Sequence, residues 1–422
     1  MSEVSFELTQ IPPQAGPLDP RTKIAGAFGI GFGFFAGTGV SGLAMGLCII
    51  GIWGLIYGLS SPDRSLAKAL VATLKARTAL WLVFGLFVLW VMLSALWSPA
   101  KILAGETVRR LAVLTVLAPP AIWVVHSCLG SDRGIAQRGI IAGIFFSFIL
   151  LTFDANNHYA MNQIASPGKL LWSIYGDMGR AASATLALSW VGYACLHQQF
   201  APRSARILFI VLALYLSTQF TINLNALGLF FGTLAALFAL RFPKSAIGLV
   251  SGVSAVVIAA APLIYPLIAK MAFTLFPGNQ MPTSYGRRAQ MWEAAGQLIA
   301  QKPLTGWGLG ASSLFDRPVP YNGSSWPMLQ LHPHSAPLHI WLETGGIGAF
   351  LATMMVLLAG GVAMSVFGRH RIATAALVGG LTFLALTWGI SHAAWREWVW
   401  TSFAALLAFS FTLRTPDYEG LP

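Results

Sequence analysis

The chain has 422 residues, of which 56% are hydrophobic and 9% charged. A soluble domain carries about 25% charged residues, so composition excludes an ordinary water-exposed surface. The net charge of +12 would suit nucleic acid, but the basic residues are scattered as loop-end pairs with no basic stripe. That pattern argues against a nucleic-acid partner and for membrane topology.

Residues 1–23 are polar and proline-containing with no apolar core, so no cleavable signal peptide is expected and the segment reads as cytoplasmic. Apolar runs of about 20 residues then recur along the chain, the length that crosses a bilayer as helix. The expected spans are 24–40, 43–59, 78–96, 111–128, 138–153, 181–199, 207–222, 224–240, 246–269, 337–366, 372–391 and 398–413. The fold class is therefore an all-α polytopic integral membrane protein with about 12 transmembrane helices and one large extramembrane loop. Spans one to nine fill 24–269, the loop 270–336, spans ten to twelve 337–413, and a cytoplasmic tail 414–422. With the N-terminus inside, the short internal loops carry Arg64/Lys68/Lys75/Arg77, Arg133/Arg138, Arg203/Arg206, Arg241/Lys244 and Arg369/Arg371, as the positive-inside bias requires. Cys48, Cys128 and Cys195 lie in apolar runs without metal-ligand spacing and read as small buried hydrophobes.

Two segments face the far side. The first, 154–180, contains Asp154, His158, Lys169, Asp177 and Arg180. The second is the 270–336 loop, long enough to have a job of its own. Gly286 to Glu293 could start a short helix ending before Pro303. Pro303 to Gly310 is glycine-rich, but it lacks the lysine and strand–helix context of a phosphate loop. It reads as a compact turn that permits close backbone approach.

The loop closes on His332 and His334. Ser335 suits an N-cap and Pro337 an early helical position, so His334 stands just before a helix N-terminus, whose dipole disfavours a protonated imidazole. Such a histidine is either a general base near pH 7 or a bland interfacial side chain. His332, His334 and His339 have a spacing met among metal ligands, but Pro333 stiffens the pair and no cysteine or carboxylate stands close enough to complete a set. Arg287 and Arg288 offer planar forks for phosphate oxygens, and Arg288 shares a helical face with Trp292. Arg180, Arg396 beside Glu397, and Glu343 are further candidates.

These residues resemble the O-antigen ligase and polymerase superfamily of bacterial envelope polysaccharide assembly. The resemblance rests on His334-Ser335, Leu338, Leu342-Glu343-Thr344-Gly345 and Gly348, with Pro303-Leu304, Gly306, Gly308 and Gly310, and with Arg288 and Trp292 upstream. It covers about 285–350; elsewhere topology alone fits. It implies an inner-membrane enzyme whose large loop is periplasmic. The implied reaction is an inverting, metal-independent glycosyl transfer from a glycan on undecaprenyl diphosphate to lipid A–core or another glycan acceptor, without cofactor. His334 would act as base and Arg288 would hold the diphosphate, with Arg287, Arg180, Arg396, His332, Trp292 and Glu343 as supporting contacts to diphosphate or acceptor. Family members commonly carry a Ser-Arg pair between spans seven and eight. Here Thr221 to Gly228 holds no cation, so Arg180, Arg287 or Arg396 would replace it, Arg180 first.

Ligase and polymerase need the same base and clamp, and ligase is narrowly favoured. A transporter or flippase of lipid-linked sugars would place ionisable groups deep inside the spans, whereas His126 and His197 lie near span ends. A structural scaffold would leave the histidine–arginine loop without purpose.

Overall fold

The computed structural model describes residues 20–38, 41–60, 65–127, 133–220, 224–277 and 280–414. Residues 1–19, Arg64, Cys128, Thr221 to Asn223 and the tail beyond Arg414, each invoked above, lie outside them. The helices are α1 (Pro20–Thr38), α2 (Ser41–Ser60), α3 (Ser65–Ala76), α4 (Thr78–Ser94), α5 (Lys101–His126), α6 (Arg133–Asn156), α7 (Ala160–Ala165), α8 (Leu171–Ala187), α9 (Ser189–Gln198), α10 (Arg203–Gln219), α11 (Leu224–Arg241), α12 (Pro243–Ala259), α13 (Ala261–Leu275), α14 (Thr283–Gln301), α15 (Ala336–Phe367), α16 (Arg371–Ser391) and α17 (Glu397–Phe411). The chain is a polytopic helical membrane protein.

A helix lies in every expected span, but the count of crossings differs. Among the described residues, six helices are long and apolar enough to cross, or eight if each of two bent pairs forms one span. The expected span 246–269 is one such pair: α12 and α13 meet at 82°. Pro262 is the cause. It has no N–H to give to the carbonyl four residues back, and the carbonyl thus freed, that of Ile258, accepts from the indole N–H of Trp341 at 2.8 Å. The span 181–199 is divided between α8 and α9 at Leu188, and α4 follows α3 at a 98° bend. The segment expected to form the large loop contains α14 and a two-stranded hairpin, β1 (Pro318–Tyr321) with β2 (Ser324–Pro327), so the fold is not purely helical.

Glycine sets the closest contact in the bundle. Gly26, Gly29 and Gly33 on α1 face Gly139 and Gly143 on α6. A Cβ at Gly33 would sit 1.7 Å from the Gly143 carbonyl oxygen. Lipid offers helices no hydrophobic drive to associate, so small residues that let backbones touch carry the packing. Large apolar side chains point outward instead, among them Leu82, Leu237 and Phe350, each about 60% exposed. Such a surface is untenable in water and suits acyl chains.

The α14 segment is fastened to this frame through α13. Tyr265 and Trp292 meet edge-on at 5.1 Å, and Ala295, Leu298 and Ile299 of α14 pack into the same apolar cluster. Gly143→Leu should open the α1–α6 seam and cost on the order of 1–3 kcal/mol or more. Thermal unfolding in detergent checks this, and an unchanged transition temperature contradicts it.

Candidate active site

The site is assembled on a break in α15. Gly345 adopts φ 66° and ψ −169°, which interrupts the ladder one residue after Thr344. The glycine-rich turn enters that break. Trp307 N–H donates to the Leu342 carbonyl at 2.8 Å, Gly308 N–H to Glu343 at 2.9 Å, and Gly346 N–H to Pro303 at 2.8 Å. A Cβ at Gly345 would lie 2.2 Å from the Leu304 oxygen, and one at Gly306 2.6 Å from the Glu343 carbonyl carbon. The expected close backbone approach is what these glycines provide.

Glu343 sits inside the join and is 0% exposed. Its Oε2 accepts from Gly310 N–H at 2.8 Å and from the Trp395 indole at 2.7 Å. Its Oε1 accepts from Ser312 N–H at 3.1 Å, Ser312 Oγ at 2.7 Å and His339 Nε2 at 3.0 Å. A buried carboxylate is tolerable only with this degree of satisfaction. No edge is left for a ligand, so the expected substrate contact is corrected to a positioning part. His339 is committed too: its Nδ1 accepts from Ala394 N–H at 3.1 Å, which leaves the ring proton on Nε2, facing Glu343.

His334 precedes α15 as expected, with the Ser335 side chain capping Leu338 N–H at 3.4 Å. Its backbone is left-handed at φ 49°, a strained conformation for a residue with a side chain. Its Nδ1 lies 3.1 Å from the Ser391 carbonyl. A carbonyl can only accept, so Nδ1 carries the hydrogen and Nε2 keeps a free lone pair. The imidazole pKa is pushed down to about 4, by burial first and then by Arg288, with Ser391 opposing. Burial and a guanidinium thus supply the neutrality that the sequence suggested would come from the helix dipole. The His332 ring lies 4.4 Å away, tilted by 44°, and accepts the His334 N–H on Nδ1 at 3.1 Å. Burial, then its histidine neighbours, hold it well below the ordinary histidine range. Among the described residues no three His, Cys, Asp or Glu side chains gather at metal-ligating distance.

Arg288 reaches the same place. Its Nη1 donates to the Ser284 carbonyl at 3.2 Å and its Nη2 lies 3.5 Å from Ser391 Oγ. Arg287 turns away, donating to Gln290 at 2.5 Å and to the Pro327 carbonyl at 2.6 Å, and so ties α14 to β2. Trp292, expected beside the diphosphate, is packed against Tyr265 instead. Trp292 is committed to that packing, whereas the Arg287 charge still acts on His334, after burial and Arg288.

The sequence reading missed the wall opposite. Ser391 to Arg396 links α16 to α17, and its backbone is held by His334, by His339 and by the indoles of Trp388 and Trp400. It presents His392, whose neighbours are Arg180, His334, Arg288 and Arg396. Burial first, then those charges, push His392 down to about 3. The available signal was a histidine at the end of an apolar run, four residues before Arg396. Arg396 has no ion pair among the described residues; burial and then Arg180 lower its pKa, and Glu397 lies 3.9 Å from Arg110. Arg180 is paired with Asp177, which also holds Lys169. Burial would raise that carboxyl, but hydrogen bonds from Lys169 and Arg180 outweigh it and hold it low. Three guanidinium groups, those of Arg180, Arg288 and Arg396, thus act on His392, and of these Arg180 is paired with Asp177.

A family model described as O-antigen ligase matches residues 205–353, which include Arg288, His334 and Glu343. Proteins named "Putative polysaccharide ligase" from Rickettsia conorii, Rickettsia felis and Rickettsia prowazekii are 27%, 26% and 23% identical to it over 285, 284 and 286 residues. Both comparisons support the O-antigen ligase superfamily. Each alignment covers 64% of this chain and 65% of the relative, so under two thirds of the relatives' length is matched. Arg180, His392 and Arg396 lie outside the segment matched by the O-antigen ligase model.

Removing the Glu343 carboxylate should orphan buried donors in four segments. Glu343→Ala is expected to cost about 3–5 kcal/mol, read as a lowered unfolding temperature and lost transfer. A variant as stable as the parent contradicts the positioning part.

Proposed function

We propose that the protein is an inverting, metal-independent glycosyltransferase of the inner membrane, with its cleft facing the periplasm. It moves a glycan from undecaprenyl diphosphate to an acceptor hydroxyl on lipid A–core. The observation that carries this reading is the meeting of His334 and Arg288 on one residue, Ser391: the imidazole on its carbonyl, the guanidinium at its hydroxyl.

The chemistry follows from those groups. The bare Nε2 of His334 takes the acceptor proton as the acceptor oxygen attacks the anomeric carbon. The bond to the diphosphate breaks on the opposite side, which inverts the centre. Arg288, with Arg180 and Arg396, stabilises the departing negative charge, so no divalent ion is required. Arg180 and Arg396 stand in for the arginine that the Thr221–Gly228 turn lacks. The assignment of about twelve crossings and of the large loop to the periplasm belongs to this reading and rests on the basic internal loops.

The acid limb of kcat/KM offers a direct check. With His334 depressed to about 4, the base is already neutral at pH 7 and stays so as pH falls through the ordinary histidine value. Transfer should persist through about pH 5.5 and fail only towards pH 4. A limb centred near 6.5 contradicts the assignment.

His334→Ala and Arg288→Ala are each expected to lower transfer by at least about 100-fold in protein that still inserts, measured with reconstituted lipid-linked donor. Transfer that vanishes with a chelator and returns with a divalent ion contradicts the metal-free route. A deletion strain separates the two members of the class. Loss of a ligase leaves long polymer on the carrier lipid, whereas loss of a polymerase leaves single repeats.

A further inference from the structure

His392 differs from the other imidazoles of the cleft. His332, His334 and His339 each have a ring nitrogen engaged by the protein. Among the described residues, neither ring nitrogen of His392 has a hydrogen-bond partner. The ring is held nonetheless. It packs edge-on against Trp398 at 4.7 Å and 86°, and the backbone on either side is pinned by Ser391 to His334 and by Ala394 to His339. It retains solvent contact, and Arg180 from α8, Arg288 from α14, Arg396 at the start of α17 and His334 surround it. A positioned polar ring with no protein hydrogen-bond partner among the described residues, acted on by three guanidinium charges, is arranged to meet an anion.

We propose that His392 is a substrate-contacting residue that donates a neutral hydrogen bond to the phosphate oxygen on which negative charge appears as the glycosidic bond breaks. This rests on the transfer reading above. The step balances as follows. The acceptor O–H proton passes to His334 Nε2, a new bond forms from that oxygen to the anomeric carbon, and the bond from the anomeric carbon to the phosphate oxygen breaks with its electron pair staying on oxygen. His392 keeps its proton throughout. The guanidinium groups around it disfavour a further positive charge, so the ring contributes a directed donor rather than another cation. A hydrogen bond to an oxygen that gains charge strengthens in the transition state, which raises turnover more than it tightens ground-state binding.

The test compares side chains that keep the ring with side chains that keep the N–H, in purified full-length protein in lipid nanodiscs. The substrates are undecaprenyl-diphosphate-linked glycan and lipid A–core. His392→Phe keeps an aromatic ring against Trp398 and loses the donor; its kcat should fall on the order of 100-fold, with donor KM changed less than about threefold. His392→Gln loses the ring and places an amide N–H near Nε2, and should regain at least about tenfold of that loss. If the Phe variant does not fold, His392→Met, of glutamine's length without a donor, takes its place against Gln. A Phe or Met variant turning over within about twofold of the parent, or a Gln variant worse than either, overturns the proposal and leaves His392 a packing residue. His334→Ala runs beside them. If it transfers normally, the base assignment falls; if it is silent while His392→Phe is normal, only the part of His392 falls.

Discussion

A single buried carboxylate, Glu343, holds the cleft together. A carboxylate enclosed in an apolar helix bundle would cost several kcal/mol if left unpaired. This one receives hydrogen bonds from the glycine-rich turn, the short 3-10 turn at Ser312, His339 and Trp395. Those donors come from stretches more than 80 residues apart in the chain (Gly310 to Trp395). The break at Gly345, two residues on, makes room for the turn that supplies them. The carboxylate therefore fixes the geometry of the cleft without having to touch anything bound there.

Electrostatics couples the two halves of the chemistry. Arg180, Arg288 and Arg396 all act on His392, and among the described residues only Arg180 of the three has a paired carboxylate, Asp177, which suits an anionic ligand. Added to burial, Arg288 and Arg287 push the His334 pKa down, and Arg180, Arg288 and Arg396 push that of His392 down. In the proposed reaction, one arrangement would serve both the clamp for a diphosphate and the base that is free at neutral pH. The hydrogen bond from Nδ1 to the Ser391 carbonyl completes it by directing the lone pair outward from Nε2.

What could be read in advance was local. Ser335 as the cap and the glycines of 306–310 as points of close approach follow from neighbouring residues and are found in the structure, whereas the joining of His334 with Arg288 was implied by the family resemblance. Hydropathy located helices in every expected span. It could not tell a straight crossing from α12 and α13, where one missing N–H at Pro262 turns the chain by 82°. The packing of Trp292 and the bonding of Arg287 could not be read, because a helical face says which residues travel together, not what the face packs against. Tyr265 and the Pro327 carbonyl decide that. His392 was passed over because it lies 58 positions beyond His334 and joins it only through the folding of α16 back across α15.

Cryo-electron microscopy of the protein with undecaprenyl diphosphate in nanodiscs addresses the central claim most directly. The phosphates should lie between Arg288, Arg180 and Arg396, with His334 Nε2 facing the same space and Glu343 out of contact. Phosphate density elsewhere on the molecule, or touching the Glu343 carboxylate, would contradict it.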